Sequence, residues 1–245
     1  MKRFCGYIFS YFLYYRCHKR LLYIILFYEV YVKWMCWNAT VSLNTYAFAI
    51  FTIVFAIVNK YYKNNEAAYG ILFVFASMQL VEGMVWLTLS NGQNWNRALS
   101  MAAFALIVLE PLVQLLTIRG HPQLRNWLLV AYAVFSVVVF FSMTHIDFRM
   151  IPAANGHLEW KWINPFFETA VGWCILLIWL TFFMLPPLIN RTYLAFAFML
   201  GTFILSVACF IKGHTAGSMW CWMSNIIFVY ITVNILFIQP CLVRK

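Results

Sequence analysis

The stretch from Ala67 to Ser90, AAYGILFVFASMQLVEGMVWLTLS, places the tightest constraint on what this chain can fold into. As a helix rising 1.5 Å per residue it reaches about 36 Å, enough to cross a bilayer. Ser77, Gln79 and Glu82 nevertheless sit inside it. Gln79, Glu82 and Trp86 recur at i, i+3 and i+7, so they share one helical face. A carboxylate near the middle of such a helix costs roughly 2.5 kcal/mol or more in lipid. Other helices must therefore shelter it.

Composition supports lipid as the solvent: 64% of the residues are hydrophobic, 20% aromatic and only 10% charged. A water-soluble fold of this size cannot hide that much apolar surface. The formal net charge of +10 does not point to nucleic acid. The basic residues fall in short loops between apolar runs, where they act as orientation signals facing anionic headgroups. The seven cysteines are scattered, with no CxxC pair or other zinc spacing. Most read as small apolar fillers, and a disulfide among Cys36, Cys174 and Cys221 stays open because spacing alone cannot establish its geometry.

Seven core spans are expected: Val41 to Val58, Ala67 to Ser90, Arg97 to Ile118, Asn126 to Met143, Thr169 to Asn190, Tyr193 to Ile211, and Trp220 to Pro240. In lipid each segment must satisfy its own backbone, which makes them helices, and the alternating strands of a barrel are absent. The fold class is thus an all-α polytopic bundle. Residues 1–20 form a basic, aromatic tail with no signal-peptide cleavage site. Leu21 to Trp37 reads as a leader span or an interfacial helix, and residues 41–245 form the membrane domain.

Lys60, Lys63, Arg119, Arg125, Arg191, Arg244 and Lys245 lie on one side of this topology; Arg97, Arg149, Lys161 and Lys212 lie on the other. The positive-inside rule puts the first group and the C-terminus in the cytoplasm. Thr144 to Glu168, the longest connection, then faces outward, and its Trp160, Trp162, Phe166 and Phe167 suit an interfacial segment.

Counting along the spans sorts the membrane-embedded polar residues into two layers. Glu82, Asn225 and Ser206 form an outer one roughly 8–12 Å deep, and Glu110, Ser77, Asn234 and Thr181 an inner one at roughly 18–21 Å. Gln114 lies one turn below Glu110, and Gln79 bridges the levels. One reading is a polar ion or solute path, with Glu110 beside Pro111 gaining a freed carbonyl as a ligand. The other is interhelical glue made of hydrogen-bonded carboxyls and amides. In Gly217 to Asn225, GSMWCWMSN, the tryptophans read as an aromatic belt at a helix start. Alternatively Trp86, Trp220 and Trp222 form a rim over a cavity floored by Glu82 and Asn225.

His145, Asp147, His157 and Glu159 bring four metal-capable side chains into the long loop, but in no spacing with a known mechanism. A solvated loop accounts for them, so no metal and no catalytic residue is assigned. No phosphate-cradling glycine loop, HExxH or GxSxG motif occurs, and no cofactor is implied.

SMQLVEGMVW (Ser77 to Trp86), EPLVQ (Glu110 to Gln114) and GSMWCW (Gly217 to Trp222) resemble an uncharacterised family of multi-pass membrane proteins from large DNA viruses and some algae. The resemblance covers roughly Val41 to Pro240 and implies a virus-encoded protein of a host or virion membrane, with no activity attached. From the residues, the expected function is movement of a small ion or solute through the bundle. The alternatives are a receptor-like interaction protein without transport and an interfacial metal-dependent enzyme. The expected partners are the bilayer and the ion or solute itself, and no nucleic acid.

The sequons Asn38-Ala39-Thr40 and Asn190-Arg191-Thr192 test the orientation. The first hugs the membrane and the second faces the cytoplasm, so neither should be glycosylated. A glycosidase-sensitive mass shift that vanishes in Asn190→Gln would reverse the topology.

Overall fold

The computed structural model describes residues 38–240 apart from 64, 91–92 and 144–145. The expected tail, the leader span and His145 lie outside the described residues. Seven helices in the described chain are long and apolar enough to cross a membrane, and the protein is an all-α, multi-pass bundle. The elements are α1 (Ala39–Val58), α2 (Ala67–Thr88), α3 (Gln93–Leu116) and α4 (Pro122–Ser142), then strands β1 (Met150–Pro152) and β2 (Leu158–Trp160). After these come α5 (Asn164–Glu168), α6 (Ala170–Ile189), α7 (Tyr193–Phe210), α8 (Ala216–Ser224) and α9 (Ile226–Val233). A π-helical turn, Asn234–Ile238, completes the seventh span.

Local sequence accounts for most of the boundaries. Asn38 caps α1 by accepting from the Val41 amide at 3.2 Å, and Thr169 caps α6 by accepting from Gly172 at 3.0 Å. Pro122 opens α4 at the position where a missing N–H costs nothing. Small residues let α1 and α2 approach closely. Ala49, Ala56 and Ala76 are fully buried, and a Cβ on Gly83 would come within 2.8 Å of the Leu43 side chain. Thr52 and Thr232 share a 3.0 Å hydroxyl bond that ties α1 to α9. The outward faces are apolar, with Val58, Phe141 and Leu194 among the large exposed side chains, as a lipid-facing surface requires.

The long connection is not a loose interfacial segment. Met150 pairs with Trp160, Ile151 with Glu159 and Pro152 with Leu158 in an antiparallel hairpin turning at Asn155-Gly156, where Gly156 adopts φ 80°. Its inner face enters the bundle: Trp160 and Trp162 are both 1% exposed, stacked at 5.2 Å and 15°. Buried Asn96 of α3 holds the strand by both ends of its amide, donating to Met150 O at 2.7 Å and accepting from Met150 N at 2.9 Å. Asn155 anchors the turn to Thr215 at 2.9 Å. We call this the hairpin end, and the opposite side, carrying Lys60, Lys63, Arg119, Arg125 and Arg191, the basic end.

Pro111 lies inside α3 and lacks the N–H that would bond the Ile107 carbonyl. Trp179 of α6 fills that role, its Nε1 donating to Ile107 O at 3.1 Å. The carbonyl expected from the sequence as a spare ligand is thus taken by an indole. The adjacent Val108 carbonyl accepts from the Tyr132 hydroxyl at 2.7 Å. These two bonds fasten α6 and α4 to the interrupted part of α3. The disulfide that spacing left open does not join the described cysteines: Cys174, Cys209 and Cys221 are free.

Trp179→Phe should lower stability by about 1–3 kcal/mol, because it leaves a buried carbonyl unmet. Pro111→Ala restores the helical donor, so the same substitution should cost less in that background. Thermal unfolding of the four proteins in detergent checks this as a double-mutant cycle. Equal costs in the two backgrounds would disconnect Trp179 from the proline.

Candidate functional site

The buried polar residues gather along a seam contributed by α2, α3 and α8. In α2, Gln79 is fully buried and Glu82 is 4% exposed. The Gln79 amide donates to Glu82 Oε2 across one helical turn at 3.4 Å, a long bond. Ser218 of α8 and Trp160 of the hairpin are the other polar neighbours of Glu82. Even so, Gln79 Oε1, Glu82 Oε1 and Trp160 Nε1 have no hydrogen-bond partner among the described residues.

Glu110 of α3 is fully buried, and neither carboxyl oxygen has a partner among the described residues. Glu82 lies near the hairpin end of its helix and Glu110 near the basic end of an antiparallel neighbour. The rise per residue sets the two about 15 Å apart along the bundle. Cys221 stands within electrostatic reach of both.

Beside this seam the seventh span tightens at Asn225, whose backbone stays in the right-handed helical region at φ −67° and ψ −11°. Helix α8 ends at Ser224 and α9 begins at Ile226, with three-residue bonds from Asn225 N to Trp222 O and from Phe228 N to Asn225 O, each 3.0 Å. The buried Asn225 donates to Cys221 O at 2.7 Å, while its Oδ1 stays unpartnered.

Gln114, one turn from Glu110 toward the basic end, is buried and lines a cavity of about 520 Å³. At the hairpin end a tighter cavity of about 60 Å³ is walled chiefly by aromatic and aliphatic side chains, among them Phe104, Tyr132, Trp162, Trp179 and Trp220. Neither Glu82 nor Asn225 lines it. The cavity expected beneath the tryptophans is therefore apolar, not floored by the acid.

Of the other expected site residues, some join the seam and some do not. Ser77 donates to Phe73 O and Thr181 to Leu177 O, both at 2.8 Å, so these hydroxyls are spent on their own helices. Asn234, in the π-helical turn, donates to the Tyr230 hydroxyl at 3.4 Å. Ser206 is buried and donates to Ala216 O at 2.5 Å, linking α7 to α8. Trp220 does not belong to an outer rim. It is packed edge-on against Trp179, Phe183 and Phe203, and its Nε1 donates to Thr202 at 3.2 Å. Trp86 is half-buried against the same cluster as the hairpin tryptophans, and Trp222 is half-buried on α8.

Two of the metal candidates, Asp147 and Glu159, are engaged elsewhere. Asp147 forks onto Arg149, which holds its carboxyl below the usual range. Glu159 pairs with Lys161 at 2.9 Å and accepts from Asn164 at 2.7 Å. Burial raises its carboxyl, but these bonds lower it further. Among the described residues no group of three or more His, Cys, Asp or Glu is arranged to hold a metal ion.

Sequence reasoning missed Trp160, Ser218 and Cys221 as neighbours of the acids, and Asn96 as the hairpin's clasp. Asn155-Gly156 between two short apolar runs was the available signal for the hairpin. No protein-family model, curated protein or solved structure matches the chain.

The hairpin carries an acid-sensitive lock. Burial holds His157 below its ordinary value, and Glu159 is held below its own by its ion pair. Both depressed values contribute stability above the unfolded-state pKa values, about 6.5 and 4.3, and lose it as pH falls through the folded ones. Hydrogen exchange of 150–160 should accelerate as pH is lowered below about 6.5, after correction for intrinsic rates, and His157→Gln should blunt the upper part of that change. Uniform protection down to pH 4 would contradict it.

Proposed function

We propose that this protein is transporter- or channel-like and moves a small ion or solute along the seam from Gln114 past Glu110 toward Gln79, Glu82 and Asn225. The observation that carries the reading is Glu110. It is fully buried, neither carboxyl oxygen has a partner among the described residues, and it lies one turn from a residue lining a cavity at the basic end. Structural glue would spend its oxygens on neighbouring donors. A carboxyl with none suits a proton or cation that comes and goes.

The excess of unpartnered acceptor oxygens over donors along the seam, among the described residues, supports the same reading. Glu82, bonded to Gln79 and facing Ser218 and Trp160, sits under the hairpin and acts as the second station. The hairpin closes that end, and access comes from the basic end. The positive-inside pattern makes the basic end cytoplasmic. The resemblance to membrane proteins of large DNA viruses and algae belongs to this proposal too, with a host or virion membrane as the location it implies.

Purified protein in vesicles carrying a pH-sensitive dye, under imposed proton, sodium or potassium gradients, tests the assignment. Glu110→Gln should bring flux to background with the helical spectrum unchanged, and Glu82→Gln should do the same. Wild-type vesicles that move none of the three cations, or full flux in Glu110→Gln, would end this reading.

A further inference from the structure

The cavity at the basic end has a chemistry of its own. Its wall includes Asn65, Gln114, Arg119, Asn190, Arg191 and Thr192, and no Asp or Glu lines it. The two arginines come from different connections, α3 to α4 and α6 to α7, and Asn190 locks these together. The Arg119 amide donates to Asn190 Oδ1 at 3.1 Å, and Asn190 Nδ2 donates to Thr117 O at 2.9 Å. The guanidinium-bearing backbone is thus held on both sides of one opening.

Among the described residues neither Arg119 nor Arg191 forms an ion pair. Glu66 lines a smaller adjoining cavity with Arg119 and Arg125, also without an ion pair. At the floor, the Gln114 side chain is 8% exposed and makes no hydrogen bond within the described protein. Its amide is therefore an unspent donor at the bottom of a cavity with two unpaired guanidinium groups at its rim.

We propose that this cavity binds an oxyanion, a phosphate group presented either by a lipid headgroup or by a soluble phosphate. Guanidinium forks match the oxygens of such a group two at a time, and a concave wall with positive charge and no carboxylate concentrates anions. The volume of about 520 Å³ falls in the range of small-ligand sites. The site shares its cavity with the mouth of the proposed path but does not rest on that reading, because it needs no passage of the anion beyond Gln114.

The test uses the full chain in nanodiscs. In neutral phosphatidylcholine discs, inorganic phosphate is titrated by calorimetry. In parallel, protein from discs containing phosphatidylglycerol is examined by native mass spectrometry for retained lipid. Saturable phosphate binding in neutral discs identifies a soluble source; retained phosphatidylglycerol without phosphate binding identifies the headgroup. Arg119→Gln and Arg191→Gln should each weaken the binding seen by about tenfold, the loss of one charge-assisted pair, and together should remove it. Arg191→Gln alone carries the test should the double variant misfold, since it removes an exposed side chain. Binding of neither probe, or undiminished binding in the variants, overturns the proposal. Phosphate binding in a protein that moves no cation keeps this site and removes only the transport reading.

Discussion

Inside a membrane a polar group must find its partner within the protein, because the solvent offers none. Most of this bundle obeys that demand closely. Pro111 frees a carbonyl and Trp179 takes it; Ser77 and Thr181 bond their own helices; Thr52 meets Thr232. The arrangement of α4 and α6 around α3 follows from it, since Tyr132 and Trp179 serve adjacent carbonyls next to the proline. Against that background the seam from Gln114 to Asn225 is the exception, and the exception is concentrated in acceptors: Gln79 Oε1, one oxygen of Glu82, both of Glu110 and Asn225 Oδ1. Trp179 thus meets one stray carbonyl, while among the described residues no donor meets the carboxyl of Glu110, and that contrast is the ground of the proposed ion or solute path.

The two acids differ in a way that bears on mechanism. Glu82 has a glutamine one turn away and a serine and an indole facing it, all on rigid elements beneath the hairpin. Glu110 has a proline behind it and a cavity-lining glutamine one turn below. Under the proposed transport reading, Glu110 is the station that faces the basic end and Glu82 the one beneath the hairpin. The hairpin enforces the asymmetry. Stacked Trp160 and Trp162 fill the opposite end, and Asn96 and Asn155 hold them there by hydrogen bonds to backbone and hydroxyl groups.

Helix number and approximate limits were legible because length and apolar continuity are nearly sufficient conditions for a span. Glu82, Glu110, Gln79 and Gln114 were legible as buried for the same reason: in a span, a polar residue is conspicuous by its cost. Depth counting set Ser77 and Thr181 at the level of Glu110, but a count along the axis ignores azimuth, and both hydroxyls donate to the preceding turn of their own helices. Trp220 was misplaced by a different route. A tryptophan near a helix start normally sits at the interface, but here the hairpin extends the protein past the helix ends, and α8 begins already covered. The tightened turn at Asn225 left no mark in the sequence beyond one more polar residue, because helix and tightened helix share the same composition there.

The cavity at the basic end turns an orientation signal into a structural element. Arg119 and Arg191 are the kind of loop arginine that the positive-inside rule requires, and exposed on separate loops they would do nothing further. Asn190 changes that by bonding the backbone at Arg119 and the carbonyl of Thr117, so that two loops present their cations to one space. The same space ends at Gln114, one turn below Glu110. An anion held at the arginines would disfavour charge on that acid by Coulomb repulsion, by roughly 1–2 kcal/mol at 10 Å and an effective dielectric near 20. On the two proposals together, protonation of Glu110 and occupancy of the cavity would be linked through space, each favouring the other without any movement of the helices.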